Sequence, residues 1–126
     1  MRYGLDTERD ICKRNETGMI RYTIVDSMED MGYRAADMVA DQIADKPDSV
    51  LGLATGSTPL PLYGELTRRS DAGKVDFSGV RTVNLDEYVG LPGDHPQSYR
   101  YFMRRHLFGH IPVDPANTAL PDGMAA

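Results

Sequence analysis

The sequence is poor in the residues that make disulfides and metal sites. It has one cysteine, Cys12, and three histidines among 126 residues. A single cysteine excludes an internal disulfide, and no cysteine and histidine cluster has metal-ligand spacing. The chain also lacks an apolar run of membrane-spanning length, and its amino-terminal segment lacks the apolar stretch of a signal peptide. We therefore expect no metal, no membrane and a cytoplasmic, reducing location.

Basic residues are a minority. Fourteen lysines and arginines stand against nineteen acidic residues, and the formal net charge is −5. Nucleic acids and anionic membranes attract concentrated basic surfaces, so neither is an expected partner. A small phosphorylated ligand remains compatible with this charge, because a local site can bind it on an otherwise acidic protein.

The sequence does contain alternating strand-like and helix-like segments. Residues 1–18 are polar and aperiodic, and we interpret them as an amino-terminal extension. The predicted order is a strand over 19–25, a helix from Ser27 to about Lys46, a strand over 49–54, a helix over 58–70, a strand over 80–85, a helix over 96–109 and a loop-like tail. This order predicts an α/β fold with a parallel, Rossmann-like sheet in three layers and helices on both faces. Ligands of such sheets bind beyond the carboxyl ends of the strands.

The turn "TGSTP" follows the second predicted strand. Thr58 suits a helix N-cap and Pro59 the first helical position, while Gly56 permits a sharp turn. Free amides and the hydroxyls of Thr55, Ser57 and Thr58 would then converge at a helix start, which favours a phosphate group. The alternative is a well-capped connection without a ligand. Neither a Walker A motif nor G-x-G-x-x-G is present, so a sugar phosphate or another small phosphorylated metabolite is favoured over a nucleotide.

Two adjacent acids, Asp86 and Glu87, follow the third predicted strand. Neighbouring side chains on an extended backbone point in opposite directions, so one of the two should face the pocket. A partly buried carboxylate near a second acid has a raised proton affinity and can serve as a base beside a carbonyl or imine. The alternative is that these acids cap a loop or lie in solvent. Tyr88 either packs the loop or hydrogen-bonds a ligand.

The segments "LGLATGSTPLPLYGEL" and "VNLDEYVGLPGDHPQSYRYFM" resemble glucosamine-6-phosphate deaminase. The resemblance runs from about Met19 to "NTALPDG" near the end of the chain. Its most specific part is D-E-Y-V-G-L-P followed by H-P-x-S-Y. The related 6-phosphogluconolactonases share the Gly/Ser/Thr turn, but they usually have D-E-R and lack H-P-x-S-Y.

This resemblance implies roles for particular residues. The turn Thr55–Thr58 would hold the substrate phosphate, and Asp86 would be the acid–base carboxylate that moves a proton between C2 and C1 of the opened sugar. Tyr99 would lie near a mobile lid, and Glu87 and Tyr88 are further candidates for the substrate site or lid. The family reaction converts glucosamine 6-phosphate and water into fructose 6-phosphate and ammonia without a metal or organic cofactor.

The chain departs from the family in length, because family members are roughly twice as long. The later motif that carries the family's ring-opening histidine is absent, so residues 19–126 correspond to the amino-terminal part of a sugar-phosphate isomerase/deaminase domain. The alternatives are a lactonase-like hydrolase, an incomplete sugar-phosphate-binding module, or a half-domain completed by a second half or by another copy. An incomplete sheet would leave an apolar edge or face uncovered.

Overall fold

The structure, a computed structural model, describes residues 10–11 and 22–125. Its strands are β1 (Asp10–Ile11), β2 (Tyr22–Thr23), β3 (Val50–Leu53), β4 (Arg81–Asn84) and β5 (Thr118–Ala119). Its helices are α1 (Met28–Asp45), α2 (Leu60–Asp71) and α3 (Tyr99–Met103), which a π-helical turn, Arg104–Phe108, continues; a 3-10 turn, Pro115–Asn117, precedes β5. Within the described residues, no helix has both the length and the apolarity needed to cross a bilayer.

A parallel sheet organises the fold, with the strand order β3-β4-β5. Leu53 of β3 pairs with Asn84 of β4, so the two strands end side by side. This sheet with its helices confirms the predicted α/β class. The tail was predicted to be a loop, and this prediction is wrong at β5, which pairs parallel to β4.

The predicted first strand does not join this sheet. Its described part, β2, pairs antiparallel with β1 in a separate two-stranded sheet. The rest of that strand, residues 19–21, and most of the predicted extension, residues 1–18, lie outside the described residues.

Local capping fixes both ends of α1 and the start of α3. The Ser27 hydroxyl accepts a hydrogen bond from the Asp30 amide at 3.0 Å, and the helix ends before Lys46, as predicted. The last helix begins at Tyr99, three residues after the predicted start, because the buried Ser98 is its N-cap. The Ser98 hydroxyl accepts from the Tyr101 amide at 3.1 Å, which satisfies one of the free donors of the first turn.

The core lies between one face of the sheet and the helices. Its large buried side chains include Tyr63, Leu66, Phe77, Met103 and Leu107. On β3, Leu51 and Leu53 pack against this core, and their partners on β4, Thr82 and Asn84, are buried as well.

The alternate strand positions form the other face, which we call the open sheet face. It consists of Val50, Gly52, Arg81, Val83 and Ala119, and Leu85 continues the alternation just beyond β4. Val50 is 53% exposed. The helices α1 and α2 pack against each other on the opposite face. In the described part of the chain, the second helical layer of the predicted fold is therefore not present.

Candidate functional site

The turn Thr55–Pro59 lies directly beyond the carboxyl end of β3. Gly56 has φ +94°, a left-handed conformation that glycine adopts without strain. A Cβ atom at this position would meet open space, so glycine is needed for the backbone conformation and not for lack of room. Ser57 and Thr58 are exposed, and the structure gives the amides of residues 56–58 no acceptor within the described part of the chain. These donors are available to an anion.

The predicted N-cap of α2 is wrong by one position. Pro59, not Thr58, is the N-cap, and it makes no side-chain capping bond. A cap at Thr58 would need an amide from the second or third helical residue. Pro61 has no N–H, and the Leu60 amide already donates to the Ser57 carbonyl at 3.3 Å. The Thr58 hydroxyl is thus not used by the helix.

The base of this turn is held by two buried side chains. The Tyr63 hydroxyl donates to the Ala54 carbonyl and accepts from the Ala54 amide at 3.1 Å. Burial raises the pKa of Tyr63, which keeps its hydroxyl protonated for this bond. The Asn84 side-chain amide donates to the Leu53 carbonyl at 3.1 Å. Tyr63 and Asn84 therefore connect the end of β3 to α2 and to β4.

The two adjacent acids beyond β4 separate in the way the extended backbone predicts. Asp86 is exposed, whereas Glu87 is turned inward and accepts backbone hydrogen bonds from Tyr88, Tyr99 and Arg100 at 2.8, 2.8 and 2.9 Å. Desolvation raises the pKa of Glu87, but these three bonds outweigh it and the pKa is lowered. The expectation of a raised proton affinity is wrong for Glu87. The alternative, an acid that caps a loop, describes Glu87 correctly.

Tyr99 connects the two strand ends. Its ring lies 4.8 Å from the Tyr88 ring, measured between centroids, at an angle of 47°. The Tyr88 phenol first, and then partial burial and the negative charge of Asp86, raise the pKa of Tyr99, while the Thr55 hydroxyl lowers it. Side chains from the β3 turn, the β4 loop and α3 thus meet at one edge of the sheet.

The structure brings together only part of the predicted site. Thr55, Asp86, Tyr88 and Tyr99 converge, while Glu87 points away into the start of α3. The larger grooves of the described chain lie elsewhere, beside α1 and between α3 and β5. We call the surface formed by Thr55, Asp86, Tyr88 and Tyr99 the shelf. Within the described residues, no group of three or more acidic, histidine or cysteine side chains is arranged to hold a metal ion.

Gly123 belongs to the tail predicted to be a loop, and it lies behind this shelf. Its carbonyl accepts from the Gly90 amide at 2.7 Å, and its Cα packs against the loop that carries Asp86. The "PDG" turn signal around it was visible in the sequence, but nothing local linked that turn to residues more than thirty positions earlier.

Comparison with known proteins agrees with this geometry. The family model described as glucosamine-6-phosphate isomerases/6-phosphogluconolactonase matches residues 25–124. Glucosamine-6-phosphate deaminases of Halothermothrix orenii and Clostridium perfringens are each 51% identical over 106 residues, which is 84% of this chain and 44% of each relative. The chain thus spans less than half the length of these relatives.

Solved structures give the same result. A monomeric glucosamine-6-phosphate deaminase superposes with a TM-score of 0.78 at 42% identity, over 80% of this chain and 42% of that one. A 6-phosphogluconolactonase from Thermotoga maritima superposes with a TM-score of 0.62 at 20% identity, over 83% and 46%, and this likeness concerns the fold alone. The sequence match and the shared fold lead to one conclusion: the chain belongs to the glucosamine-6-phosphate isomerase/6-phosphogluconolactonase family.

Proposed function

We propose that this chain is the amino-terminal part of a glucosamine-6-phosphate deaminase, which converts glucosamine 6-phosphate and water into fructose 6-phosphate and ammonia during amino-sugar catabolism in the cytoplasm. The observation that carries the proposal is that β3 and β4 end side by side, so that the Thr55–Thr58 turn and the exposed Asp86 follow neighbouring strand ends. An anion-binding turn and an exposed carboxylate on neighbouring strand ends suit a phosphorylated sugar whose reacting carbons lie some distance from its phosphate.

The turn supports phosphate binding through its unused donors. The amides of residues 56–58 and the exposed hydroxyls of Ser57 and Thr58 offer several hydrogen bonds to one phosphate group. The left-handed conformation of Gly56 bends the chain so that consecutive amides can face the same side. In the proposal, these groups hold the phosphate while the sugar extends toward Asp86.

Asp86 is proposed as the group that moves the proton. With the sugar ring open, its carboxylate takes the proton from C2 and delivers it to C1, while one ammonium proton passes to the aldehyde oxygen. The aldehyde becomes a hydroxymethyl group, and the amine at C2 becomes an iminium. Water then adds to C2 and ammonia leaves, which gives the ketose. C1 is reduced as C2 is oxidised, so the reaction balances without an external redox cofactor.

The missing half of the site is proposed to come from a carboxyl-terminal half of a family chain. The curated relatives are more than twice as long as the matched region, and Ser57, Thr58, Asp86 and Tyr88 are exposed in this chain. The open sheet face supports this occupant, because the second helical layer of a doubly covered sheet would bury it. Association of two copies of the present chain is the competing arrangement.

The first experiment measures ammonia release from glucosamine 6-phosphate by the 126-residue chain, alone and mixed with a separately produced carboxyl-terminal half of a family relative. We expect release from the mixture, and a loss of about 10²-fold or more with Asp86→Asn, which keeps the shape of the side chain but not its basicity. Unchanged release with Asp86→Asn would contradict the assigned role.

Binding is measured separately from turnover. Glucosamine 6-phosphate should bind the chain more weakly after Gly56→Ala, because alanine is strained at φ +94°. Gly52→Ala is the matched control, since its Cβ also meets open space but its backbone conformation is ordinary.

Binding without turnover in any mixture would favour the binding-module alternative. Release of acid from 6-phosphogluconolactone, without ammonia release, would favour the lactonase-like hydrolase, which the family model also includes.

A further inference from the structure

Glu87 joins the two tyrosines of the shelf through their backbones. One carboxylate oxygen, Oε1, accepts from the amides of both Tyr88 and Tyr99 at 2.8 Å, and the other, Oε2, accepts from Arg100 at 2.9 Å. Tyr88 belongs to the loop beyond β4, whereas Tyr99 is the first residue of α3. Glu87 therefore ties the loop beyond β4 to the start of α3. The ring contact between Tyr88 and Tyr99 and the hydrogen bonds from Ser98 and Arg104 to the Gly93 carbonyl connect the same two elements.

Gly123 holds the same loop from the opposite side. The Gly90 amide donates to the Gly123 carbonyl at 2.7 Å. A Cβ on Gly123 would overlap the Tyr88 carbonyl oxygen and lie 2.8 Å from the Leu91 carbonyl oxygen. Both obstacles are backbone atoms, so they cannot turn aside as a flexible side chain would. Only glycine lets the tail approach the loop this closely.

The loop between these two contacts carries the exposed carboxylate. Asp86 precedes Glu87 directly, and Val89, just beyond Tyr88, is 93% exposed. A change in the backbone at Glu87 or Tyr88 is passed to Asp86 through one or two peptide units. The reach of Asp86 toward Tyr99 and Thr55 thus depends on Glu87 and Gly123.

We infer that Glu87 and Gly123 are positioning residues, which set where Asp86 and Tyr88 stand relative to Tyr99 and do not themselves contact the substrate. The catalytic consequence rests on the proposed function, because it assumes that Asp86 reacts. The placement of Asp86 and Tyr88 does not depend on the proposed function, and it is tested without substrate. The sequence made Glu87 a candidate for the substrate site or lid, whereas we assign it the role of a positioning residue.

The experiment follows the Tyr99 phenol by NMR in protein labelled with ¹³C at the tyrosine ring, with Tyr99→Phe identifying its resonance. The phenol reports the placement because Tyr88 and Asp86 raise its pKa. Glu87→Gln and Gly123→Ala are each expected to move its titration midpoint to lower pH, toward the ordinary value of about 10. Gly64→Ala is the matched control, since a Cβ there meets open space on α2, and it should leave the midpoint unchanged.

Two outcomes with Glu87→Gln and Gly123→Ala would overturn the inference. One is an unchanged Tyr99 midpoint in both variants. The other is loss of the whole fold, seen by circular dichroism, because the residues would then support the core and not the loop. Glu87→Asp separates charge from placement: it keeps the carboxylate but shortens its reach, so it should also lower the midpoint. A wild-type midpoint in Glu87→Asp would show that the charge alone matters and would equally overturn the inference. The interpretation of these NMR outcomes does not depend on the result of the ammonia assay.

Discussion

At the residue scale, Arg69 is a charged side chain held between α1 and α2. It is 8% exposed, and its guanidinium binds Glu65 and Asp37 at 2.8 Å each. It also lies over the Tyr33 ring, 4.7 Å from the centroid. Arg68 adds two bonds to Glu65, at 2.6 and 2.9 Å. Hydrogen bonds from Arg68 first, and then from Arg69, lower the pKa of Glu65 to about 2.

This lowered pKa predicts how stability depends on pH. Glu65 titrates near 4.5 when unfolded and near 2 when folded, so its contribution is complete above about pH 4.5 and is lost as the pH falls toward 2. Glu65→Gln should lower the free energy of unfolding by about 1–2 kcal/mol at neutral pH, a value reduced because Arg68 is half exposed. Urea unfolding at neutral pH and at about pH 2 measures the difference, which should shrink in acid.

Asp48→Asn, which removes an exposed pair with Lys46, is the control and should change stability less. An equal loss from Glu65→Gln at both pH values would contradict the assignment.

At the scale of the elements, the contact between α1 and α2 depends on Gly32. A Cβ there would lie 2.6 Å from two atoms of Pro61 and 2.9 Å from the Leu62 nitrogen. Gly32→Ala should therefore push α1 away from the first turn of α2 and cost about 1–3 kcal/mol of stability. Thermal unfolding measures this cost.

Gly64→Ala makes the same chemical change in the middle of α2, where the Cβ meets open space. It should be neutral or stabilise the protein by up to about 1 kcal/mol, since alanine is the better helix former. Equal effects of the two substitutions would mean that α1 and α2 do not meet at Gly32.

The start of α1 and the positions of β3 and β4 were predictable from local sequence patterns, whereas the exact start of α2 and the strand β5 were not. The start of α1 needs only Ser27 and the amide three residues later. The N-cap of α2 was misplaced by one residue, because the missing N–H of Pro61 removes a donor that a cap at Thr58 would need. The strand β5 is two residues long and exists only through its pairing with β4, so no local pattern marks it.

The same distinction holds at the candidate site. The placement of the turn and of Asp86 at strand ends follows from the order of the elements, and the opposite directions of Asp86 and Glu87 follow from the extended backbone. The inward cap made by Glu87 depends on where α3 packs, and the support from Gly123 depends on where the tail returns. Both arise from contacts between segments far apart in sequence.

At the scale of the whole molecule, the open sheet face predicts association. Val50 and Leu85 are 53% and 87% exposed on this face. The chain should bind a hydrophobic dye and self-associate as its concentration rises, unless a carboxyl-terminal half is added. Val50→Lys should weaken both effects, as measured by dye fluorescence and analytical ultracentrifugation. Met38→Lys, at an exposed apolar position on α1, is the control and should change neither. An equal decrease of dye fluorescence and self-association in the two variants would show that neither is specific to the open sheet face.

A sheet covered on one side also shapes the thermodynamics of unfolding. The heat capacity of unfolding grows with the apolar area that becomes hydrated, and it is about 12–15 cal/mol/K per residue in ordinary domains. Here Val50, Leu85 and their neighbours already meet water in the folded chain, so less new apolar area is hydrated. The heat capacity increment per residue is therefore smaller, and the curve of stability against temperature is flatter. A partner bound over the open sheet face would bury these side chains. The heat capacity increment of unfolding would then be larger, and the curve of stability against temperature more strongly curved.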